Sequence, residues 1–186
     1  MQLVKVLATK YLQTHKYFTA RKDRYQTASG KIVEEYFTVE MPNSACAVAV
    51  TEGKQIILVR QYRHPIAQNL IELPGGFVEQ GEVLEAAIAR ELLEETGFTF
   101  SNYIYLGYTY ANPGVLNNGT HLFLATGGKQ ISLQNLDDNE EIEIILKPVA
   151  VVKSMLYNDE FKQCLHQLCL YKAFEVMERM EDLKCS

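Results

Sequence analysis

A mixed α/β sandwich is predicted by three features of the chain. Period-2 apolar runs dominate its first two-thirds, two stretches space their apolar residues helically, and glycine, proline or polar clusters separate these segments. Residues 31–39 (KIVEEYFTV) are rich in β-branched and aromatic side chains and follow an Ala28-Ser29-Gly30 turn, which predicts a strand with residues 18–25 as its hairpin partner. Residues 44–50 and 55–61 flank Thr51-Glu52-Gly53-Lys54 and read as a second hairpin. Residues 69–73 form a short strand that Pro74 stops. Residues 102–110, 120–126 and 141–146 complete the strands. The first helix is expected over residues 82–96, halted by Gly97. The second is expected over residues 159–180, where Phe161, Leu165, Leu168, Cys169, Ala173, Val176, Met177 and Met180 keep helical spacing, with Asn158 or Asp159 as N-cap.

The bulk numbers narrow the function classes. A chain of 186 residues with 47% hydrophobic and 22% charged residues suits one domain with its own core and excludes disordered and fibrous classes. A net charge of −5 argues against nucleic acid as partner, because neutralising a phosphate backbone needs a basic surface. It leaves phosphorylated small molecules open, since a bound cation can bridge acidic side chains to phosphate. Cys46, Cys164, Cys169 and Cys185 make no CxxC pair or other zinc spacing, so idle thiols in a cytoplasmic protein are expected. No apolar run is long enough to span a bilayer, and the Asn118-Gly119-Thr120 sequon is expected to stay unmodified. No internal repeat or low-complexity stretch breaks the chain.

Chemistry concentrates between Gly76 and Phe98. Glu91, Glu94 and Glu95 stand at i, i+3 and i+4, so a helix gathers three carboxylates on one arc of its surface. Such an arc repels itself, and either Arg90 or a divalent cation held by hard carboxylate oxygens would offset the repulsion. Glu-rich helix faces are usually only solvated. Here, however, Gly76, Glu82, Arg90, Glu91, Glu94, Glu95 and Gly97 all fall at fixed offsets, with apolar Leu92 and Phe98 between and after them. A chance coincidence of the seven has odds of ~10⁻⁸ per starting point at ordinary residue frequencies. The segment resembles the Nudix box, G-x5-E-x7-R-E-U-x-E-E-x-G-U with U apolar, and departs from it at no defining position.

That resemblance implies an α/β/α sandwich around a mixed sheet, with an N-terminal antiparallel strand module and a C-terminal helix. A single Nudix hydrolase domain over residues 1–186 is expected, divided into the strand module (1–42), a core (43–150, box 76–98) and the helix (154–182). It implies metal-assisted hydrolysis of a nucleoside diphosphate linked to another group, with Mg2+ as cofactor and Mn2+ as a possible substitute. Diphosphates resist water because their charged oxygens repel a nucleophile. Hydrolysis therefore calls for charge neutralisation, an in-line water and a proton acceptor. By resemblance, Glu91 and Glu95 bind the metal, Glu94 joins through metal or water, and the Gly75 carbonyl is a further ligand. Arg90 holds a box glutamate in place, and Glu82 supports the loop. For Glu94 a simply water-facing position stays open.

Features outside the box resemble the ADP-ribose and nucleoside diphosphate sugar pyrophosphatase branch of the family. Leu58-Val59-Arg60-Gln61-Tyr62-Arg63, followed by Ile71-Glu72-Leu73-Pro74-Gly75-Gly76, is similar to its VRQYR…ElPaG signature. Arginine suits a diphosphate because its planar fork donates two hydrogen bonds at once. Arg63 is the first choice for that contact and Arg60 the second, against the alternative of arginines exposed at a strand end. Pro113, in Asn112-Pro113-Gly114, matches a proline that marks this branch and would shape a loop beside the substrate. The loop carries Asn117 and Asn118 where some relatives have an acid, and either amide could bond a sugar, as could His121. In this branch the N-terminal module helps build a homodimer and offers aromatics to the base, here among Tyr17, Phe18, Tyr25, Tyr36 and Phe37. An acidic residue from a later loop often serves as base. Glu140 is the first choice, with Asp138 and Glu141 behind it. The rivals are a GDP-mannose or other NDP-hexose pyrophosphatase, a non-catalytic nucleotide-sugar sensor, and a scaffold without chemistry.

Overall fold

The computed structural model describes residues 3–137 and 139–185, with side chains to residue 180. Two compact units divide the chain at Asn43, one of them also taking in Tyr110–Gly119.

The smaller unit is built on an antiparallel sheet of β1 (Lys5–His15), β2 (Phe18–Gln26) and β3 (Ile32–Glu40), in that order. The β2–β3 hairpin is the one expected from the turn at Gly30. The sequence pattern predicts no element over β1, and its exposure gives the reason. All eleven residues are exposed, so no buried face imposes an alternation on the sequence. The segment Tyr110–Gly119 is tied to the end of β3. Val39 exchanges backbone hydrogen bonds with Val115 (2.9 Å) and Asn117 (3.2 Å), and the Tyr36 hydroxyl donates to the Gly114 carbonyl at 2.6 Å.

The larger unit carries an eight-stranded mixed sheet. Its spine runs β11 (Ile142–Pro148), β5 (Gln55–Arg63), β4 (Ser44–Thr51), β10 (Thr120–Gln130), β8 (Phe98–Thr99). β6 (Gln68–Glu72) pairs with β5, β7 (Gly75–Phe77) with β4, and β9 (Asn102–Thr109) with β10. β4 and β10 run parallel, and the other pairs are antiparallel.

Alternation along β4 explains the layers. Ala45, Ala47 and Ala49 face Ile88 and Leu92 of α1 (Leu84–Thr96), together with Phe123 and Ala125 of β10. Cys46, Val48 and Val50 face the opposite core, formed with α2 (Val149–Tyr157) and α3 (Cys164–Cys185) through Val152, Met155, Leu156, Leu170, Ala173 and Phe174. Small alanines on one face let α1 approach closely, and burial on both faces makes β4 continuously apolar. The result is the expected α/β/α sandwich.

Both helix starts differ from the expectation. α1 begins at Leu84, and Glu82 lies in the preceding turn, where its carboxylate accepts the Glu79 N–H at 2.9 Å. The predicted N-caps of the last helix are also corrected. Asn158 instead closes α2, and Asp159 has a left-handed backbone (φ 58°), while α3 starts only at Cys164. Phe161 misled the pattern, because it is fully buried without being helical. α1 ends as expected at left-handed Gly97, whose N–H bonds Leu93 O at 2.8 Å. Cys46 and Cys169 are buried free thiols, and Cys164 is an exposed one. Among the described residues no helix is long and apolar enough to cross a membrane.

Candidate active site

α1 sets the geometry of the site. Its i, i+3, i+4 spacing places Glu91, Glu94 and Glu95 on one arc, and burial then sorts them. Glu95 is buried, Glu91 is mostly covered, and the Glu94 side chain keeps 40% of its exposure. β7 runs beside this arc, held on β4 with Gly76 opposite Ala45 and Gly75 opposite Cys46. Gly75 adopts φ 148°, and a Cβ there would meet Ala45 O at 2.1 Å, so only glycine fits. At Gly76 a Cβ would lie within 2.5 Å of the Glu91 carboxylate, so the missing side chain makes the space that carboxylate occupies.

Arg90 is the hub. Nε and Nη2 grip both oxygens of Glu82 (3.0 and 3.1 Å), Nη1 donates to Glu91 (2.9 Å) and Glu94 (3.1 Å), and Nη2 also reaches the Phe77 carbonyl (3.1 Å). All five guanidinium hydrogens are thereby engaged. Hydrogen bonding from Arg90 holds the Glu82 carboxyl below its usual range. Glu91 is pushed the other way, mainly by burial, with Arg90 opposing the push and the charges of Glu94 and Glu140 adding to it. Burial pushes Glu95 up to about 8, although the Gly75 N–H donates to it at 2.8 Å, and the charges of Glu91 and Glu140 contribute.

Two expected residues outside the box act on this group through their charges. Arg63, at the end of β5, bonds Glu72 through Nε (3.0 Å) and Nη2, and the charges of Glu95 and Glu140 further favour its protonated form. Glu140 sits in a turn closed by its own N–H on Asp137 O (2.9 Å), and its charge is felt at Glu91, Glu95 and Arg63.

The remaining expected residues have contacts of their own. Arg60 pairs with Glu143 across β5 and β11 at 2.7 Å, both side chains exposed. Glu141 is exposed just before β11. Pro113, Asn117 and Asn118 belong to the smaller unit. There Asn117 Oδ1 accepts the Met41 N–H (3.1 Å) and Asn118 Nδ2 donates to Pro42 O (3.1 Å). His121 lies on β10 in ring contact with Tyr108, and the Tyr105 hydroxyl lies 3.1 Å from its Nδ1. Asp138 lies outside the described residues. Two buried polar residues were given no role by the pattern, Glu72, quoted only as part of the signature before Pro74, and His166. Glu72 had one available signal, a lone acid within the apolar run before Pro74.

The donor set suits a divalent ion. Three carboxylates on a rigid helix beside a glycine backbone offer hard oxygens, the ligands magnesium and manganese take. Among the described residues no three acidic, His or Cys side chains already form a cage. Arg90 and the Gly75 N–H satisfy the carboxylates instead. Glu95, buried with one N–H and held largely protonated at neutral pH, is the group a cation would relieve most. The residues fit the ion.

Comparison with known proteins agrees with this geometry. The NUDIX domain matches residues 41–166. Over 138 residues the chain is 33% identical to the ADP-ribose pyrophosphatase of Bacillus subtilis (strain 168), covering 64% of this chain and 73% of that protein. It is 31% identical over 159 residues to the ADP-sugar pyrophosphatase of Mus musculus, covering 77% of this chain and 72% of that one. A solved structure described as an ADP compounds hydrolase shares the fold, with a TM-score of 0.84 over 97% of each chain at 20% identity. With every glutamate of the box present and gathered around Arg90, the chain belongs to the Nudix family and is a Nudix hydrolase.

Proposed function

We propose that the protein hydrolyses the diphosphate bond of ADP-ribose or a related nucleoside diphosphate sugar, giving a nucleoside monophosphate and a sugar phosphate. The observation that supports this reading is Arg63, bonded to Glu72 three residues before the Gly75 that bonds Glu95, with its charge favoured by those of Glu95 and Glu140. The named relatives act on ADP-ribose and ADP-sugars, which supports that substrate class. Glu91, Glu95, Glu94 and the Gly75 carbonyl would hold Mg2+, with Mn2+ able to replace it. When bound, such an ion supplies neutralisation of the diphosphate charge and a more acidic water. Arg63 orients the diphosphate, Arg90 holds Glu91 and Glu94 in place, and Glu140 accepts the proton of the attacking water as its oxygen bonds phosphorus and the bridging P–O bond breaks. Arg60, already paired with Glu143, is left as a secondary contact. Both units act as one functional domain in this reading, and the free thiols suit a cytoplasmic setting.

The direct test is purified protein with magnesium against ADP-ribose, ADP-glucose and GDP-mannose, with products separated by chromatography. Release of AMP from the ADP compounds is expected. Preference for GDP-mannose would move the assignment to NDP-hexoses, and hydrolysis of none would refute it. Glu140→Gln is expected to lower kcat by about 10²-fold, the scale of losing a general base, with KM little changed. Near-normal kcat would remove Glu140 from the mechanism.

A homodimer is part of the same proposal. β1 is an edge strand that leaves Val6, Leu7, Tyr11 and Leu12 exposed, a template that natural proteins cover. Light scattering after size exclusion should report twice the 21.2 kDa chain mass. A clean monomer would contradict it.

A further inference from the structure

Glu72 is one of the most deeply buried side chains in the protein, with 1% of its surface exposed, and it carries a formal charge. A buried carboxylate persists only with a partner that satisfies both oxygens. Its neighbours narrow that partner to one. His166 on α3 accepts the Leu73 N–H on Nδ1 (3.2 Å), and burial pushes its pKa down to about 4, so it faces Glu72 uncharged. The Cys46 thiol is held protonated by its contact with Cys169 and by burial, with the charge of Glu72 adding to the effect. Arg63 alone among these groups brings a positive charge, and it grips both carboxylate oxygens.

The geometry of that grip has a direction. Nε and Nη2 are turned to Glu72, while Nη1 has no hydrogen-bond partner among the described residues. The open edge belongs to a guanidinium close enough to Glu95 and Glu140 to feel their charges. A free arginine side chain samples many rotamers, and immobilising one on binding costs about 0.5–1.5 kcal/mol. Glu72 removes that freedom before any ligand arrives. Behind it, the His166–Leu73 bond ties α3 to the residue between Glu72 and Pro74, so the backbone that bears Glu72 is itself fixed.

We infer that Glu72 is a positioning residue, clamping the Arg63 guanidinium on one edge so that its other edge is presented to a diphosphate. This rests on the proposed reading of the site, and it adds an assignment for a residue that touches neither substrate nor cation.

A double-mutant cycle separates positioning from plain structural support. The ligand is a non-cleavable methylene analogue of ADP-ribose, bound in the presence of magnesium and measured by calorimetry on Glu72→Gln, Arg63→Ala and the double variant. Glu72→Gln is expected to weaken binding by up to about tenfold, the equivalent of one freed arginine. Arg63→Ala should weaken it at least as much, and the double variant no further than Arg63→Ala alone. In turnover the Glu72→Gln loss should fall on KM, with kcat within about twofold of the parent. Glu72→Asp, which keeps the charge, should recover part of the affinity, and it carries the cycle if Glu72→Gln does not fold. Additive losses in the double variant, or unchanged binding by Glu72→Gln, would overturn the assignment. Absence of hydrolysis by the parent protein would refute the proposed function without touching this cycle, whereas absence of analogue binding would overturn both.

Discussion

Replacing Glu95 by glutamine is expected to silence turnover and, above neutral pH, to stabilise the metal-free protein. The two effects share one cause. Glu95 is a buried carboxyl whose pKa is pushed from 4.5 to about 8, chiefly by burial, with one N–H from Gly75 opposing and the charges of Glu91 and Glu140 adding. Because the folded-state value lies above the unfolded one, the folded protein holds the extra proton. Glu95 therefore leaves stability intact below about 4.5 and removes it progressively as pH rises through 8. Glutamine keeps an oxygen for the Gly75 N–H and carries no charge to desolvate. Melting in a chelator should show variant and parent close together near pH 5 and the variant ahead at pH 8, by a gap of several kcal/mol.

The catalytic loss should be on the order of 10²–10³-fold in kcat, the scale on which removal of one preorganised electrostatic element is felt. Magnesium should also raise the melting temperature of the parent at pH 8 and leave the variant nearly unmoved, since the proposed cation site exists only in the folded state and includes the Glu95 carboxylate. A pH-independent stability difference would show that burial of the Glu95 charge is not what destabilises the metal-free fold. Retained turnover would remove Glu95 from the cation site.

The contrast between Glu95 and Glu72 shows how far residue spacing can be read. The arc of Glu91, Glu94 and Glu95 was legible because helical periodicity is local, and three acids at i, i+3 and i+4 have one arrangement on a helix. The β2–β3 and β4–β5 hairpins were legible for the same reason, since turn residues and alternation lie within a few positions of each other. His166 bonds the Leu73 backbone, next to Glu72, across 93 residues of sequence, and no local pattern reports that either side chain is buried there. α2 was hidden because Val149-Ala150-Val151-Val152 reads equally well as the continuation of β11. α3 started late because Phe161 fills the core from outside the helix. Asn117 and Asn118 stand in the loop where some relatives have an acid, yet only the fold could reveal that their amides bond the Met41 and Pro42 backbone. In each case the missing information was a contact between elements rather than a preference within one.

Arg90→Lys is expected to raise the magnesium concentration needed for half-maximal activity by about 10- to 100-fold, the range seen when a group that orients metal ligands is lost. The substitution keeps the charge, so net electrostatics do not account for the effect. What changes is the number and direction of donors. Arg90 spreads five hydrogens over three carboxylates and the Phe77 carbonyl, spanning from the Glu82 turn before α1 to Glu94 within it. A lysine offers three hydrogens at one point and cannot grip both Glu82 oxygens while also reaching Glu91 and Glu94. Glu91 and Glu94 then repel each other with less restraint, and the turn that carries Glu82 loses its tie to the helix. Added magnesium should restore much of the turnover, because the ligands remain present and only their arrangement is lost. If the half-maximal magnesium concentration stays at the parent value, charge alone at position 90 suffices and the five-bond hub has no part in shaping the site.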